Sequence, residues 1–524
     1  MNNTYYITTP IYYVNDVPHI GHAYTSVASD VIARFMRLSG KEARFLTGTD
    51  EHGQKVEKAA LNKNIDPQIF TDQTSASFRN LMESMNISND DFIRTTETRH
   101  KEAVAIFWQK LLANGTIYEG FYEGWYAVRD EAFYDESELT SEGLAPTGAP
   151  VEWVKEPSYF FNLSKWQDKL LAFYEANPDF IRPITRRNEV ISFVKSGLHD
   201  LSVSRTSFNW GIKVPNDKKH VIYVWLDALV NYISALGYPD ESGKYGKFWP
   251  ANLHVVGKDI VRFHAVYWPA FLMAADAPLP QSVMAHGWWT NEGQKISKSL
   301  GNVIDPFELV KEFGVDQVRY FLMREVTFGS DGNYSRASLI SRINSELSNK
   351  IGNLMQRTLA FVYKNNEAHV PLIEQNIIDL LYKSPLLETA SKIAVQNLEL
   401  MENLEINKIL ENILNLTEEA NIYIDKEAPW NLKKTDPIKM LEVLYSLLES
   451  LRYIAIMLQP FTPDAASKML DQLGVSLEER KFKHLSREYA VTPSANILEP
   501  SVVFPRVLAV IPAKAGIQKK SEII

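Results

Sequence analysis

The sequence predicts an α/β protein: a parallel-sheet domain that is split by a small insertion and followed by an α-helical bundle. Three observations predict it. Strand and helix patterns alternate from the N-terminus, the region 115–205 breaks this alternation with aromatic residues, Gly and Pro, and apolar residues have helical spacing from about residue 335 to 458. A length of 524 residues suits three or four domains. The expected bounds are 1–114 and 206–334 for the two halves of the sheet domain, 115–205 for the insertion, 335–504 for the bundle and 505–524 for an unassigned tail.

The N-terminal elements alternate in the way that a parallel sheet requires. Strand-forming residues occupy 5–9, and apolar residues recur at helical spacing from Ile20 to Leu38, with Gly40 as a stop. A second strand pattern covers 45–50 and precedes another helical pattern. This order favours parallel strands that are joined by helical crossovers.

The same alternation returns after the insertion. A strand pattern covers 220–225, a second covers 254–256, and a helical pattern runs from 260 to 274. Residues 284–299 predict two short extended pieces around a turn. Further on, an apolar stripe at 406–414 predicts an amphipathic helix of a bundle.

Composition narrows the class of protein. Hydrophobic residues make up 45% and charged residues 23%, which excludes a mostly disordered chain. No apolar stretch approaches the ~18 residues of a membrane span, and the N-terminus lacks a secretory pattern. The absence of cysteine excludes disulfides and thiolate metal sites. A net charge of −9 indicates no broad basic surface, and we expect a cytoplasmic protein without membrane contact.

Two histidines lie between the first strand and the first helix. In Pro18-His19-Ile20-Gly21-His22 the imidazoles are three residues apart and share one face of the opening turn. A helix N-terminus offers unpaired N–H groups and a positive dipole end to a phosphate, and Gly21 permits close approach of a ligand. The alternative, which we favour for this motif taken alone, is a helix start that merely contains two histidines.

A second group follows a Gly-bearing turn. Lys295-Ile296-Ser297-Lys298-Ser299 places two lysines among hydroxyls, and lysine is a flexible point charge suited to a departing pyrophosphate. Alone, this segment is more simply a solvated loop. The two motifs together, on an α/β pattern, are more specific than either.

Together the two motifs resemble the signature sequences of the class I aminoacyl-tRNA synthetase family, and further segments look like its methionyl branch. These segments are Thr8-Thr9-Pro10-Ile11-Tyr12-Tyr13-Val14-Asn15, Thr47-Gly48-Thr49-Asp50-Glu51-His52-Gly53, Tyr223-Val224-Trp225-Leu226-Asp227-Ala228 and Gly257-Lys258-Asp259-Ile260. The resemblance covers about residues 4–460. The family usually has Met where this chain has Ile296, a change that keeps the apolar volume and both lysines.

The resemblance implies an ATP-dependent, AMP-forming methionine–tRNA ligase with a Rossmann-like catalytic domain and an anticodon-binding bundle. Methionine and ATP, with Mg²⁺ bridging the phosphates, would give methionyl-adenylate and pyrophosphate, and the methionyl group would then pass to the 3′-terminal adenosine of its tRNA. The implied catalytic residues are His19, His22, Asp50, Arg205, Lys295 and Lys298. The implied ATP-binding residues are His19, Gly21, His22, Gly257, Asp259, Lys295, Ser297 and Lys298.

The same match implies a methionine pocket. Its residues would be Asp50 for the ammonium group and, around the side chain, Ile11, Tyr13, Trp225, Tyr232, Ile260, Phe263, His264 and Trp268. Aromatic edges attract a thioether sulfur, and a tyrosine hydroxyl or an imidazole N–H is able to donate to it. The alternatives are that Asp50 is a turn residue, that Arg205 forms a surface ion pair and that the aromatic residues belong to the core.

Three positions of the helical region match the family's anticodon contacts: Asn353, Arg357 and Trp430. Asn353 and Arg357 are four apart on one helix face, and unpaired RNA bases are read by aromatic stacking together with hydrogen bonds. Residues 341–500 hold 17 basic and 22 acidic residues, a net charge of −5, so charge gives the assignment no support. A helix cap is the alternative role for Asn353.

The insertion departs from the family pattern. Many relatives carry zinc knuckles there, and the matching positions in this chain are Ala127, Asp130, Ala145 and Thr147. Two alanines cannot complete a tetrahedral four-ligand site, so we expect a knuckle-shaped insertion without zinc. The candidates for the apolar packing that replaces the metal are Trp125, Tyr126, Phe133, Tyr134 and Trp153.

Other classes of protein compete with this interpretation. Leucyl-, isoleucyl- and valyl-type relatives carry a longer editing insertion, and cysteinyl-type relatives select with cysteine-bound zinc. A non-catalytic tRNA-binding protein and an unrelated nucleotidyltransferase are the alternatives from outside the family. Pyrophosphate exchange that depends on methionine separates these hypotheses. Because the chain ends soon after the bundle, we expect a monomer.

Overall fold

The computed structural model describes residues 3–14, 17–130, 132–297 and 301–508. The strands are Thr4–Thr8 (β1), Tyr12–Tyr13 (β2), Glu42–Asp50 (β3), Asp91–Arg94 (β4), Ile117–Ala127 (β5), Ala132–Tyr134 (β6), Glu152–Phe161 (β7), Ile181–Arg182 (β8), Leu201–Ser202 (β9), Ser204–Arg205 (β10), Lys213–Val214 (β11), Asp217–Ile222 (β12), Leu253–Gly257 (β13), Val283–His286 (β14), Trp289–Asn291 (β15), Gln294–Lys295 (β16) and Gly332–Tyr334 (β17).

The helices follow the strands in alternation and then dominate the C-terminal half. They are Ile20–Leu38 (α1), Gln54–Asn62 (α2), Pro67–Ser84 (α3), Thr98–Ala113 (α4), Gln167–Ala176 (α5), Ile184–Lys195 (α6), Val224–Leu229 (α7), Asn231–Ser234 (α8), Lys244–Phe248 (α9), Trp268–Ala274 (α10), Pro306–Phe313 (α11), Val315–Glu325 (α12), Arg336–Arg342 (α13), Asn353–Asn365 (α14), Gln375–Leu381 (α15), Pro385–Glu402 (α16), Ile406–Glu427 (α17), Pro429–Thr435 (α18), Pro437–Leu458 (α19) and Pro463–Gln472 (α20). The π-helical segments Phe263–Tyr267 and Ile343–Gly352 lead into α10 and α14.

Seven strands form the central sheet in the order β2-β3-β1-β13-β14-β8, and β4 also pairs with β3. Every pairing in this sheet is parallel, as the sequence predicts. Strands that are covered on both faces need apolar residues in succession, and Ile7, Phe45 and Val255 are all fully buried.

The order of the strands reverses at β1. The chain passes from β1 through α1 to β3 on one side, whereas β13, on the other side, follows only after the insertion. At such a switch point the connections leave the carboxyl ends of neighbouring strands in opposite directions, which opens a crevice. The start of α1 and the end of β13 at Gly257 both border this crevice.

The region 115–205 is divided among three sheets, one of which it reaches only through β10, which pairs with β12. A separate antiparallel sheet has the order β6-β5-β7-β9, and in it β5 and β7 pair from Ile117 opposite Phe161 to Tyr126 opposite Glu152. In contrast, β8 pairs in parallel with β14 in the central sheet. The predicted bounds of the insertion therefore stay a proposal.

The helical bundle is continuous with the sheet domain. One apolar core runs from α1 through α12 into α17 and α19. Every residue of α19 from Val443 to Leu458 is buried, which identifies it as the central helix of the bundle. Within the described ranges, no helix combines the length and the apolarity needed to cross a membrane.

One predicted strand is too long. The pattern at 220–225 predicts a strand throughout, but β12 ends at Ile222 and α7 begins at Val224. The reason is that the Tyr223 carbonyl accepts the amides of Leu226 and Asp227, and this hydrogen bonding starts a helix in a segment of strand-forming residues.

Candidate active site

The histidine motif caps the helix that begins at the switch point. His19 is the N-cap of α1: its Nδ1 accepts a hydrogen bond from the Gly21 amide, and Nδ1 of His22 accepts one from the His19 amide, both at 3.1 Å. The two rings lie 3.8 Å apart. Because each Nδ1 is an acceptor, a neutral ring carries its hydrogen on Nε2, and two Nε2–H donors result. A Cβ on Gly21 would lie 2.9 Å from the His19 ring, so a side chain there would push the capping imidazole aside.

Both imidazoles are held in the neutral form. Burial lowers the pKa of His19, and the nearby charge of Asp259 opposes that effect in part. Burial also lowers the pKa of His22 well below its usual value, and repulsion from His19 acts in the same direction. Neutral donors beside the N-terminus of a helix are suited to bind a phosphate.

The two signature motifs meet at one cavity of about 570 Å³. The lining that comes from the motifs consists of His19, Ile20, Gly21, His22, Lys295 and Ile296. Lys298 and Ser299 lie outside the described residues. Lys295 is therefore the lysine that shows the two distant segments at one cavity.

Asn302 fixes the backbone of the lysine segment. The β15–β16 hairpin turns at Glu292 and Gly293, which both have positive φ. The side chain of Asn302 then accepts the Ser297 amide at 2.8 Å and donates to the Lys295 carbonyl at 3.0 Å. The Ser297 side chain is not part of the cavity lining.

The nucleotide side of the cavity is formed where β13 ends. A Cβ on Gly257 would lie 2.5 Å from Oδ1 of Asp259, so a side chain at this position would displace that carboxylate. The same oxygen accepts the indole N–H of Trp288 at 3.0 Å. One N–H leaves most of the accepting capacity of a carboxylate for the hydroxyls of a ribose. The sequence analysis did not identify Trp288. The one feature that points to it is its position just after β14, because the end of β14 lies beside Gly257.

Most of the predicted methionine-binding residues line the same cavity. They are Ile11, Tyr13, Asp50, Trp225, Tyr232, Ile260 and His264. Asp50 ends β3 and is nearly buried. Two predicted residues do not line the cavity: Phe263 stacks on Trp225 with the ring centres 3.5 Å apart, and Trp268 is fully buried behind the wall. Trp268 is a core aromatic residue.

The polar pair of this pocket is satisfied within the protein. Nδ1 of His264 lies 3.0 Å from the Ile260 carbonyl, which only accepts, so Nδ1 carries the hydrogen. Burial lowers the pKa of His264 to about 4, so the ring is neutral and its Nε2 accepts from the Tyr232 hydroxyl at 2.6 Å. Both hydrogens of this pair are thus donated within the protein, and donation from a tyrosine hydroxyl or an imidazole to a thioether sulfur stays a prediction.

Arg205 does not lie in the cavity. It is 2% exposed, so it is not a surface ion pair either. Its guanidinium donates to the Ser202 hydroxyl and the Ser204 carbonyl, both at 2.6 Å, and lies 4.3 Å from the centre of the Tyr223 ring. These contacts hold the side chain against β9 and the Tyr223 ring.

The four knuckle positions come together in the structure. Ala127 and Ala145 are fully buried and pack in a small apolar cluster, while the Asp130 carboxylate accepts hydrogen bonds from the hydroxyls of Thr147 and Tyr134. Within the described ranges, no group of three His, Asp or Glu side chains is arranged to hold a metal.

The aromatic residues predicted to pack the knuckle are less completely buried than its alanine cluster. Trp125 and Trp153 meet edge to face at 5.3 Å, but Trp153 is 54% exposed. Tyr126 is buried, and Tyr134 packs partly against the alanines. The side chain of Phe133 lies outside the description.

The predicted anticodon residues lie on neighbouring helices of the bundle. The Arg357 guanidinium, on α14, lies 5.7 Å from the centre of the Trp430 ring on α18 and forms an ion pair with Asp425 at 2.5 Å. Trp430 is 43% exposed, and Asn353 is exposed one turn before Arg357. Asn353 does not cap a helix, because the preceding π-helical turn runs directly into α14.

Known proteins resemble this chain in sequence and in fold. A family model described as tRNA synthetases class I (M) matches residues 5–147 and 145–359, and one described as the anticodon binding domain of methionyl tRNA ligase matches residues 384–509. The methionine–tRNA ligase of Rickettsia felis is 81% identical over 97% of this chain and 99% of its own length, and that of Rhizobium meliloti is 53% identical over 96% and 98%.

A solved structure is also similar. The methionyl-tRNA synthetase of Mycobacterium tuberculosis in complex with methionyl-adenylate has a TM-score of 0.92 and 47% identity, covering 96% of this chain and 100% of that one. The chain therefore belongs to the class I aminoacyl-tRNA synthetases. Within that class it is a member of the methionine–tRNA ligase family. The fold class, the family resemblance and the ligase activity predicted from the sequence are confirmed.

Proposed function

We propose that the cavity at the switch point joins methionine to ATP and that the methionyl group then passes to tRNA. One observation carries the proposal: the helix cap of His19 and His22, the Asp259 carboxylate, Lys295 and the Asp50 end of β3 all line one cavity. Phosphate donors, a ribose acceptor and an ammonium acceptor are thereby within reach of a single bound adenylate.

The phosphate half stabilises charge. The Nε2–H groups of His19 and His22 donate to phosphate oxygens, while Lys295, together with Lys298, neutralises the leaving pyrophosphate. Methionine's carboxylate oxygen forms a bond to the α-phosphorus as the bond to the β-phosphate oxygen breaks. Mg²⁺ would enter with ATP, because such sites bind it through substrate phosphates and water rather than in a dedicated cage of protein ligands.

The nucleoside half selects by close fit. Gly257 admits the nucleotide to the end of β13, and Asp259, oriented by Trp288, accepts the ribose hydroxyls. The methionine half is held by Asp50, which binds the ammonium group, and by an aromatic wall around Trp225 that fits the thioether by shape and polarizability. In this proposal Arg205 acts indirectly, by fixing Tyr223 next to the α7 segment.

The bundle reads the anticodon in this proposal. Arg357 and Trp430 lie together at an exposed place, as a stacking and hydrogen-bonding site for unpaired bases requires, and Asn353 lies one turn away. The expected domain bounds, a cytoplasmic location and a monomeric state complete the proposal. Light scattering that shows a stable dimer at micromolar concentration would contradict the monomer.

The knuckle is proposed to fold without zinc. The alanine cluster and the Asp130 hydrogen bonds take the place of a metal site. Metal analysis of the purified protein is therefore expected to find no stoichiometric zinc, and a chelator is expected to leave the melting temperature unchanged. One zinc per chain would refute the proposal.

Exchange of labelled pyrophosphate into ATP tests the reaction. The exchange is expected to require methionine and to be absent with leucine or cysteine. Lys295→Ala should slow it, whereas Lys392→Ala, which removes an exposed lysine of the bundle, should not. Exchange that does not depend on methionine, or that responds to another amino acid, would overturn the proposal.

A further inference from the structure

Two residues of the family-like segments have no role in the reaction described above, and the structure pairs them. His52 follows the end of β3, and Asp227 lies in α7. Nδ1 of His52 lies 2.7 Å from Oδ2 of Asp227, and Nε2 of His100, on α4, lies 2.7 Å from Oδ1 of the same carboxylate. Nδ1 of His100 then meets the Ser234 hydroxyl at 2.9 Å.

This chain of hydrogen bonds is sealed from solvent. Asp227 and His100 are fully buried, and His52 and Ser234 are almost so. A carboxylate only accepts, so His52 carries a hydrogen on Nδ1 and His100 on Nε2. Burial alone would raise the pKa of Asp227, but attraction to His52 and the hydrogen bonds of both imidazoles hold that pKa at about 2. The group is therefore a carboxylate with a donor on each oxygen.

The network is attached to the segments that form one wall of the cavity. Asp227 lies two residues after Trp225, and Ser234 lies two residues after Tyr232, so the network attaches to the pocket-lining segment near both of its ends. His52 lies two residues after Asp50, just beyond the end of the strand that supplies the ammonium acceptor. The side chains of the network do not themselves line the cavity.

His52 is itself fixed from behind. Its ring packs edge to face against Trp210 at 5.7 Å, and the Trp210 indole donates to the Glu51 carbonyl at 2.6 Å. The amide of Gly53 donates to the Trp210 carbonyl at 3.0 Å. The strand end beyond Asp50 is thus held rigidly, and Asp227 is positioned against a fixed point.

We propose that Asp227, held between His52 and His100, is a positioning residue that sets the distance between the Asp50 end of β3 and the Trp225–Tyr232 wall, and thereby the fit of methionine. The inference rests on the proposed function, because it assigns the amino-acid half of the cavity to those two elements. Small displacements of a binding wall have large effects on a reaction that depends on orientation.

The position of the network makes the effect selective. The nucleotide half of the cavity comes from α1, the end of β13 and the β14–β16 region. Among the described residues, the side chains of the network form hydrogen bonds to one another and none to those elements. A buried charge is weak evidence for stability, since apolar packing would hold helices together at least as well. Specific geometry at the methionine wall is the better reason for its presence here.

Substitutions that change donors while keeping volume test the proposal in the full-length chain. Asp227→Asn and His52→Leu are each expected to raise the KM for methionine in pyrophosphate exchange by about tenfold or more, with the KM for ATP almost unchanged. Asn at position 52 can place an amide N–H where Nδ1 stood, so His52→Asn should recover most of the methionine affinity that His52→Leu loses.

A matched control separates positioning from general stability. Glu449→Gln alters a carboxylate that is equally buried and paired with Arg452, but in the bundle. It should lower the melting temperature and leave the KM for methionine unchanged.

Four results would overturn the inference: a parallel rise of both KM values, a loss of kcat alone, equal behaviour of His52→Asn and His52→Leu, or a Glu449→Gln enzyme with the same KM change. Should Asp227→Asn fail to fold, the comparison of the two His52 variants decides. A wild-type chain without methionine-dependent exchange would instead refute the proposed function.

Discussion

The guanidinium of Arg319 meets the carboxylate of Asp30 at 2.7 Å, and neither side chain has any exposure to solvent. Asp30 lies in α1, the helix that the two histidines cap, and Arg319 lies in α12. Arg319 also donates to the carbonyls of Met85, Asn86, Pro460 and Phe461. One side chain thus joins the catalytic helix to the turn that follows the central helix of the bundle.

Arg319→Ala is expected to destabilise the protein by about 3–5 kcal/mol, because it breaks a buried pair and leaves buried carbonyls without a donor. The check is denaturant unfolding followed by circular dichroism. Arg186→Ala is a suitable control, since its ion pair with Glu189 involves a largely exposed carboxylate and contributes little. A similar free energy of unfolding for the two variants would show that the junction is not important for stability.

His22→Asn separates the two roles of the second histidine. The Asn side-chain oxygen is able to accept the His19 amide as Nδ1 does, so the cap is kept while the Nε2–H donor is lost. We expect the rate of methionine-dependent exchange to fall by about 10²–10³-fold, the usual effect of removing a transition-state donor, with little change in melting temperature. His22→Ala should lose both rate and stability. Normal exchange in His22→Asn would exclude His22 from phosphate binding.

The stability of the protein should fall as the pH drops below about 6.5. Burial lowers the pKa of His22, His254 and His286 in the folded chain. The unfolded chain, with ordinary histidines, therefore binds more protons in this window, and their contribution is complete only above the unfolded value. Asp316 acts in the opposite direction, since burial raises its pKa to about 6, but it is one group against these three histidines and His19 and His264 besides. Thermal unfolding at pH 7.5 and 5.5 should show the lower melting temperature at pH 5.5; an equal or higher one would contradict the prediction.

Trp430→Ala should impair charging of tRNA without affecting activation of methionine. Loss of one stacked base is worth about 1–3 kcal/mol, so kcat/KM for tRNA should fall by about 5–150-fold while pyrophosphate exchange stays normal. Leu477→Ala, which also truncates an exposed apolar side chain of the C-terminal region, is the control for nonspecific effects. Unchanged charging by Trp430→Ala would remove this residue from the anticodon site.

Local sequence patterns predicted an element well where its bounds depend on residues within the element itself. The apolar spacing from Ile20 to Leu38 coincides with α1, because a capped N-terminus and a 3.6-residue period act on the same segment. The strand pattern at 220–225 failed beyond Ile222, because backbone hydrogen bonds to the Tyr223 carbonyl outweighed the strand preference of the side chains.

Only the site residues that belong to sequence motifs could be predicted. The histidine and lysine segments were recognisable, but the hydrogen bond from Trp288 to Asp259 and the pairing of His52 with Asp227 depend on tertiary contacts between segments far apart in the chain. Phe263 and Trp268 were assigned to the pocket by the match to the family, whereas their positions depend on which neighbouring ring covers them. No sequence pattern contains that information.

The two-residue strand β8 limits how this protein can be shortened. It lies within the predicted insertion, residues 115–205, yet it pairs with β14 at the edge of the central sheet. A minimal enzyme made by excising residues 115–205 would leave the backbone of β14 unpaired. Such an exposed edge strand is able to pair with another chain and promotes aggregation. Deletions for crystallography or for engineering should therefore stop before residue 181, and a graft of the knuckle into another scaffold should end there as well.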